Sequence, residues 1–192
     1  MDKLIIKARA ITLKELGDDT FYGMPYAERI KEKAIFISDK LGAQKTAVTL
    51  AAYLHALSKN ERPTSSIESS DKASIVLKKI GCPESLRIQI IKIIILSDSK
   101  NWDTSKRPKS IEEKIFYDAK VSEDISSIGI LKHLMQLKEQ NLKNSGLIDS
   151  IDDFIKEKYG SLFFEKTKNM IEYDYRLVSE FVNNAKKQGD VL

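Results

Sequence analysis

Residues 47–57 read Ala47-Val48-Thr49-Leu50-Ala51-Ala52-Tyr53-Leu54-His55-Ala56-Leu57, and this run decides the fold. At helical spacing it is apolar on nearly all sides, and a helix apolar all round has to be buried among other elements. The run therefore predicts a central core helix from about Ala43 to Ser58. The 8 glycines and 4 prolines are too few for the turns of a sandwich or barrel, so the expected class is all-α.

Upstream, Ile30, Ala34, Ile37 and Leu41 recur at helical spacing, with Glu28, Arg29, Lys31, Glu32 and Lys33 between them. Gly42 then stands where a C-terminal cap belongs. Residues 1–20 have no strong period and are left open between an N-terminal arm and a short helix. A single helical domain is expected over 21–192.

Downstream, the polar stretch Lys59–Thr64 contains Pro63 and reads as a loop. Ser65-Ser66-Ile67-Glu68 has capping-box spacing and opens a helix that ends near Ile80, before Gly81. Pro83 suits the first turn of the next segment, Glu84–Leu96. Its many isoleucines would also suit a strand, but its length and its proline start favour a buried helix. Ser97–Lys109 is the longest clear loop. Ser110-Ile111-Glu112-Glu113 repeats the capping-box signal and opens a helix through Ile115, Phe116 and Ala119. Gly129 sits in the apolar stretch Ile128–Leu134 and is read as a mark of close helix packing. Ser161–Lys187 closes the chain with an amphipathic pattern through Phe164, Thr167, Met170, Ile171, Tyr175, Val178, Phe181 and Val182. The sum is a compact bundle of roughly six to eight helices, with His55 near its middle.

Net charge is +4 and the pI about 8.9. That falls well short of the basic stripe of a duplex-DNA binder, while phosphate-bearing ligands are compatible with it. The single cysteine, Cys82, allows neither an internal disulfide nor a thiolate metal cluster, and between Gly81 and Pro83 it reads as structural. No apolar core of signal-peptide length opens the sequence. The longest apolar run, Ile93-Ile94-Ile95-Leu96, is far below the roughly 20 residues that cross a bilayer. A cytoplasmic protein with no membrane partner is the expectation.

Three segments, in order, carry a resemblance. They are Tyr26-Ala27-Glu28-Arg29-Ile30 with the helix that follows it, Leu50–Leu57, and Pro108-Lys109-Ser110-Ile111-Glu112-Glu113-Lys114-Ile115-Phe116-Tyr117-Asp118-Ala119-Lys120. Together they resemble the HD-domain superfamily of metal-dependent phosphohydrolases. Glu172–Phe181 is similar to the closing helix of one bacterial and archaeal branch. The resemblance implies a helical fold over about Tyr26–Lys187. It also implies a site built from a histidine on the first helix, a His-Asp pair on the second and an aspartate on the late helix. In the family these hold one or two divalent cations that activate a water for attack on phosphorus.

Against that pattern the sequence departs at most positions. Tyr26 stands where the first histidine is implied. His55 keeps the histidine of the pair, but Ala56 replaces its aspartate. Asp118 keeps the late aspartate, and Lys120 stands where the branch often has a further acid. The branch's additional pocket histidines fall at Ser65 and Ser97. His133 matches no ligand position. One imidazole and one carboxylate remain of four implied ligands, where a catalytic cation takes at least three from the protein.

The expectation is thus an HD-like protein without metal-dependent catalysis and without a cofactor. Its ligand would be a nucleotide, another phosphate-bearing molecule or a protein partner, held by a pocket of Tyr26, Arg29, His55, Asp118 and Lys120. The alternative is a divergent phosphohydrolase in which His55, Asp118 and Asp98 hold Mn, Mg or Zn. Residue by residue, plainer readings stay open. His55 is also read as a packed core histidine, Asp118 as ion-paired and Arg29 as a solvent-facing or salt-bridged helix residue. A third possibility is single-stranded nucleic acid stacking on Trp102 among Lys100, Lys106, Arg107 and Lys109, against which Trp102 folds back on the core.

Overall fold

A computed structural model describes residues 2–57, 66–103, 106–139 and 144–189. Every regular element among them is helical: α1 (Asp2–Leu16), α2 (Met24–Leu41), α3 (Lys45–Leu54), α4 (Ser66–Lys79), α5 (Glu84–Leu96), α6 (Ile111–Ile125), α7 (Ser127–Glu139), α8 (Asn144–Gly160) and α9 (Glu165–Gly189), with a 3-10 turn over Ser99–Asn101. The all-α class holds. The helix count corrects the expected six to eight upward, to nine among the described residues. One of the added helices is α1, whose fully buried side chains are the small Ala8 and Thr12. The stretch from Ser127 to Gly160 also holds two helices, α7 and α8.

The chain divides into two compact units, Met1–Lys120 and Val121–Leu192. In the first, α3 packs against α1, α2, α4 and α5. All eight residues from Ala47 to Leu54 are buried, as the all-round apolar pattern requires. α3 stops at Leu54, short of the expected Ser58, and His55 is its C-terminal cap residue. The expected capping glycine is in place behind α2, where Gly42 adopts the left-handed conformation (φ 67°) that side chains with a Cβ resist. α5 occupies the predicted range Glu84–Leu96 as a helix, not a strand, and buries Ile90, Ile93, Ile94 and Leu96.

The capping box at Ser110 forms as its spacing predicts. The Glu113 amide donates to Ser110 Oγ (3.2 Å), and Glu113 Oε2 accepts from the amides of Ser110 (3.1 Å) and Lys109 (2.6 Å). Ser65, the first residue of the other expected box, lies outside the described residues, as does the expected loop 59–64.

In the second unit, Ile130 of α7, Ile151 and Ile155 of α8, and Val178 and Val182 of α9 form one core cluster. Gly129 has a nearer constraint than helix packing. A Cβ there would collide with the carbonyl oxygens of Glu123 and Asp124, so the glycine serves the tight entry into α7, where Ser126 Oγ accepts its amide at 3.2 Å.

Candidate functional site

His55 is buried at the end of α3, between two rings of the first unit. Its imidazole lies 5.3 Å from the ring of Tyr26 on α2 and 5.5 Å, edge-on, from that of Phe116 on α6. Its Nδ1 is 2.8 Å from the Ala52 carbonyl oxygen. A carbonyl can only accept, so Nδ1 carries the proton and donates. In a neutral ring Nε2 then bears the lone pair, the arrangement by which backbone carbonyls orient metal-binding histidines. The neighbouring Ala56 is wholly buried and offers only a methyl group, while Asp118 on α6 is wholly buried and partnered.

Two further residues meet beside the start of the loop that follows α5. Lys120 Nζ donates to Ser97 Oγ at 3.0 Å and to the Ser97 carbonyl at 3.2 Å, and Ser97 Oγ donates in turn to the Ile94 carbonyl at 2.7 Å. Ser97 is buried. The ammonium therefore reaches inward to a carbonyl and a hydroxyl, the kind of contact a cation makes at the C-terminal end of a helix.

No protein-family model and no curated protein matches the sequence. Solved structures match over nearly all of it. The Lin1889 protein of Listeria innocua is 21% identical with a TM-score of 0.77, over 100% of this chain and 98% of that one. YpgQ of Bacillus subtilis, crystallised with ADP, is 18% identical with a TM-score of 0.72, over 97% and 95%. An HD-superfamily hydrolase of Bacillus thuringiensis is 17% identical with a TM-score of 0.70, over 100% and 99%. The fold is that of the HD-superfamily hydrolases. At these identities the likeness is one of fold.

Among the described residues no group of three or more His, Cys, Asp or Glu side chains is placed to hold a metal ion. His55, Asp118 and Asp98 are not gathered into such a group. Asp98 instead caps the 3-10 turn, its Oδ1 accepting the Lys100 amide at 3.1 Å. Ser65 lies outside the described residues.

The remaining sequence candidates are placed as follows. Arg29 donates to the Thr20 carbonyl at 2.8 Å, tying α2 to the connection before it. Trp102 turns back onto the protein: its indole N–H donates to the Leu96 carbonyl (2.9 Å) and its ring lies 4.7 Å from that of Tyr117. His133 stacks on Phe154 in the second unit, 3.8 Å between centroids, and burial chiefly holds its pKa below the ordinary histidine value.

Two carboxylates organise more than the sequence reading assigned them: Glu28 was read only as a charge between apolar positions, and Glu113 only as the acid of a capping box. Glu28 accepts from Arg9 (2.8 Å), Lys31 (2.6 Å) and the Tyr53 hydroxyl (3.3 Å), joining α1, α2 and α3. Burial pushes its pKa up, but the hydrogen bonds from Lys31 and Arg9 outweigh that and hold it below the ordinary value. Glu113 is buried against Lys92 Nζ at 2.8 Å. Burial again pushes up, and Lys92 with the two capping amides holds the carboxyl low. The spacing from Glu28 to Lys31 was a visible signal for the first; the reach from Lys92 to Glu113 had none.

No helix among the described residues is long and apolar enough to cross a membrane.

Proposed function

We propose that this chain keeps the HD scaffold without its metal-dependent catalysis and binds a phosphate-bearing ligand at the old site. The observation that carries this reading is the Lys120–Ser97 hydrogen bond. Where the family resemblance implies an acid and a histidine, the chain has an ammonium and a hydroxyl 3.0 Å apart. Two departures that are 23 residues apart in sequence meet as partners, which is a mutual fit and not scattered loss. An ammonium repels a divalent cation and attracts a phosphate. Ala56 in place of the pair's aspartate, and Tyr26 packed on His55, remove two more of the implied ligands.

YpgQ was crystallised with ADP, so ADP is the probe to use first. The test is thermal unfolding of metal-stripped protein with Mn²⁺, Zn²⁺, Mg²⁺ or ADP. A real cation site at 100-fold excess over its Kd would add about 2.7 kcal/mol, a rise of roughly 5–10 °C for a chain of this size. We expect no cation to move the midpoint, and ADP to raise it in the parent protein but not in Lys120→Met. A cation-induced rise abolished by His55→Ala would overturn the reading and install the divergent phosphohydrolase in its place.

A further inference from the structure

Helix α5 has a second apolar face. Ile90, Ile93 and Ile94 are wholly buried, but Ile88 is 57% exposed and Ile91 and Ile95 are half-buried. Positions 88, 91 and 95 fall three and four apart, on one stripe of the helix. With Leu96 they floor a groove of about 460 Å³, lined also by Ser74 of α4 and by Lys106, Arg107 and Lys109. That volume is in the range of small-molecule sites.

The rim of the groove is cationic: Arg87 and Lys92 on α5 face Lys106, Arg107 and Lys109 on the connection to α6. Among the described residues, three of the five have a carboxylate partner. Arg87 meets Glu84 (3.4 Å), Lys92 meets Glu113 (2.8 Å) and Lys106 meets Asp103 (3.5 Å). Arg107 lies over the Trp102 ring, 5.9 Å from its centroid, and among the described residues neither Arg107 nor Lys109 has a carboxylate within ion-pair distance. Two positive charges therefore stand in surplus over an aliphatic floor.

Each half of this arrangement needs the other to be explained by a ligand. Solvated lysines require no apolar floor, and a purely apolar guest gains nothing from guanidinium and ammonium groups at its edge. The floor consists of branched aliphatic side chains, and Trp102, already bonded to Leu96 and packed on Tyr117, does not line it. That favours an alkyl chain over a stacked base. We propose that the groove binds a single-chain anionic amphiphile, a long-chain carboxylate or alkyl phosphate. Its tail lies on Ile88, Ile91, Ile95 and Leu96, and its head sits among Arg107, Lys109 and their neighbours. Arginine and lysine serve both head groups, arginine by a two-pronged contact.

The test is calorimetric titration of the intact chain with dodecyl phosphate and with laurate, each below its micelle-forming concentration. We expect one saturable site. Shortening the tail to butyl phosphate should weaken binding at least 100-fold, since each methylene kept from water is worth up to about fourfold. Neutral dodecyl maltoside should bind at least tenfold more weakly. Ile88→Glu, which charges the floor, and Arg107→Glu with Lys109→Glu, which inverts the rim, should each cost at least tenfold. Both changes fall at exposed positions, and unchanged helical circular dichroism would separate lost binding from lost folding. Lys120→Met should leave this binding intact, which keeps the test independent of the proposal for the His55 site. Equal affinity in the parent and both variants, indifference to tail length, or uptake that never saturates would overturn the assignment. So would binding to anionic vesicles or to an acidic helical peptide alone, with no response to the monomeric amphiphile.

Discussion

Helices α3 and α5 are the two most apolar stretches of the chain, yet they are used differently. Along α3 every residue from Ala47 to Leu54 is buried, and alanine at 47, 51 and 52 lets α1, α2 and α5 approach closely. Along α5 isoleucine supplies the bulk, and only one side of it is taken into the core. The difference teaches that side-chain size, more than hydropathy, decides how many neighbours a helix can accept. Small residues admit partners all round. Large ones fill the space on one side and leave the other to be answered by something else.

The contrast can be broken at its strongest point by Ile93→Ala, which empties a wholly buried site on the core side of α5. Denaturant unfolding should show a loss of about 2–5 kcal/mol. Next in size is the opposite perturbation on α3. Ala51→Leu forces a larger side chain into a wholly buried position, and the same measurement should show about 1–3 kcal/mol lost to overpacking. A neutral result there would mean that α3 is less tightly enclosed than its burial implies.

The smallest effect concerns the polar edge of α5, where Lys92 meets Glu113. Glu113→Gln should cost about 1–2 kcal/mol at neutral pH, through the weakened cap and ion pair. Because the folded carboxyl titrates below its ordinary value of 4.5, its contribution is fully present above that pH. It is lost as the pH falls through the folded value. The stability gap between the parent and Glu113→Gln should therefore close in acid, and a gap constant from pH 7 to pH 3 would refute the assigned charge state.

Much of this was legible in the sequence, for identifiable reasons. α2, α5 and α6 announced themselves through apolar spacing and through punctuation at Gly42, Pro83 and Ser110–Glu113, because caps are local chemistry. α1 was not legible, since what it buries most completely is Ala8 and Thr12, and such small contacts barely register as an apolar face. α7 and α8 were hidden for other reasons. For α7, the junction with α6 at Ser126–Gly129 is a steric requirement of the backbone, not a change of composition; for α8, no capping signal was read at its start, Asn144. At the site, the substitutions at Tyr26, Ala56, Ser97 and Lys120 could be read singly as departures from a pattern. That Lys120 and Ser97 touch could not, because the contact joins α6 to the end of α5 and exists only once the helices are packed. The groove on α5 was missed because a helix dense in isoleucine reads as uniformly buried until one sees which side is covered.

The chain has only two histidines, and they fall one to each compact unit. His55 holds its Nδ1 proton against a carbonyl inside the first, and His133 lies flat on Phe154 in the second, depressed in basicity by burial. Without any added label the molecule thus carries two imidazole reporters. Their ring C–H proton resonances lie in different surroundings, one between Tyr26 and Phe116 and the other stacked on Phe154, so each half of the chain can be followed separately through unfolding, ligand titration or dilution.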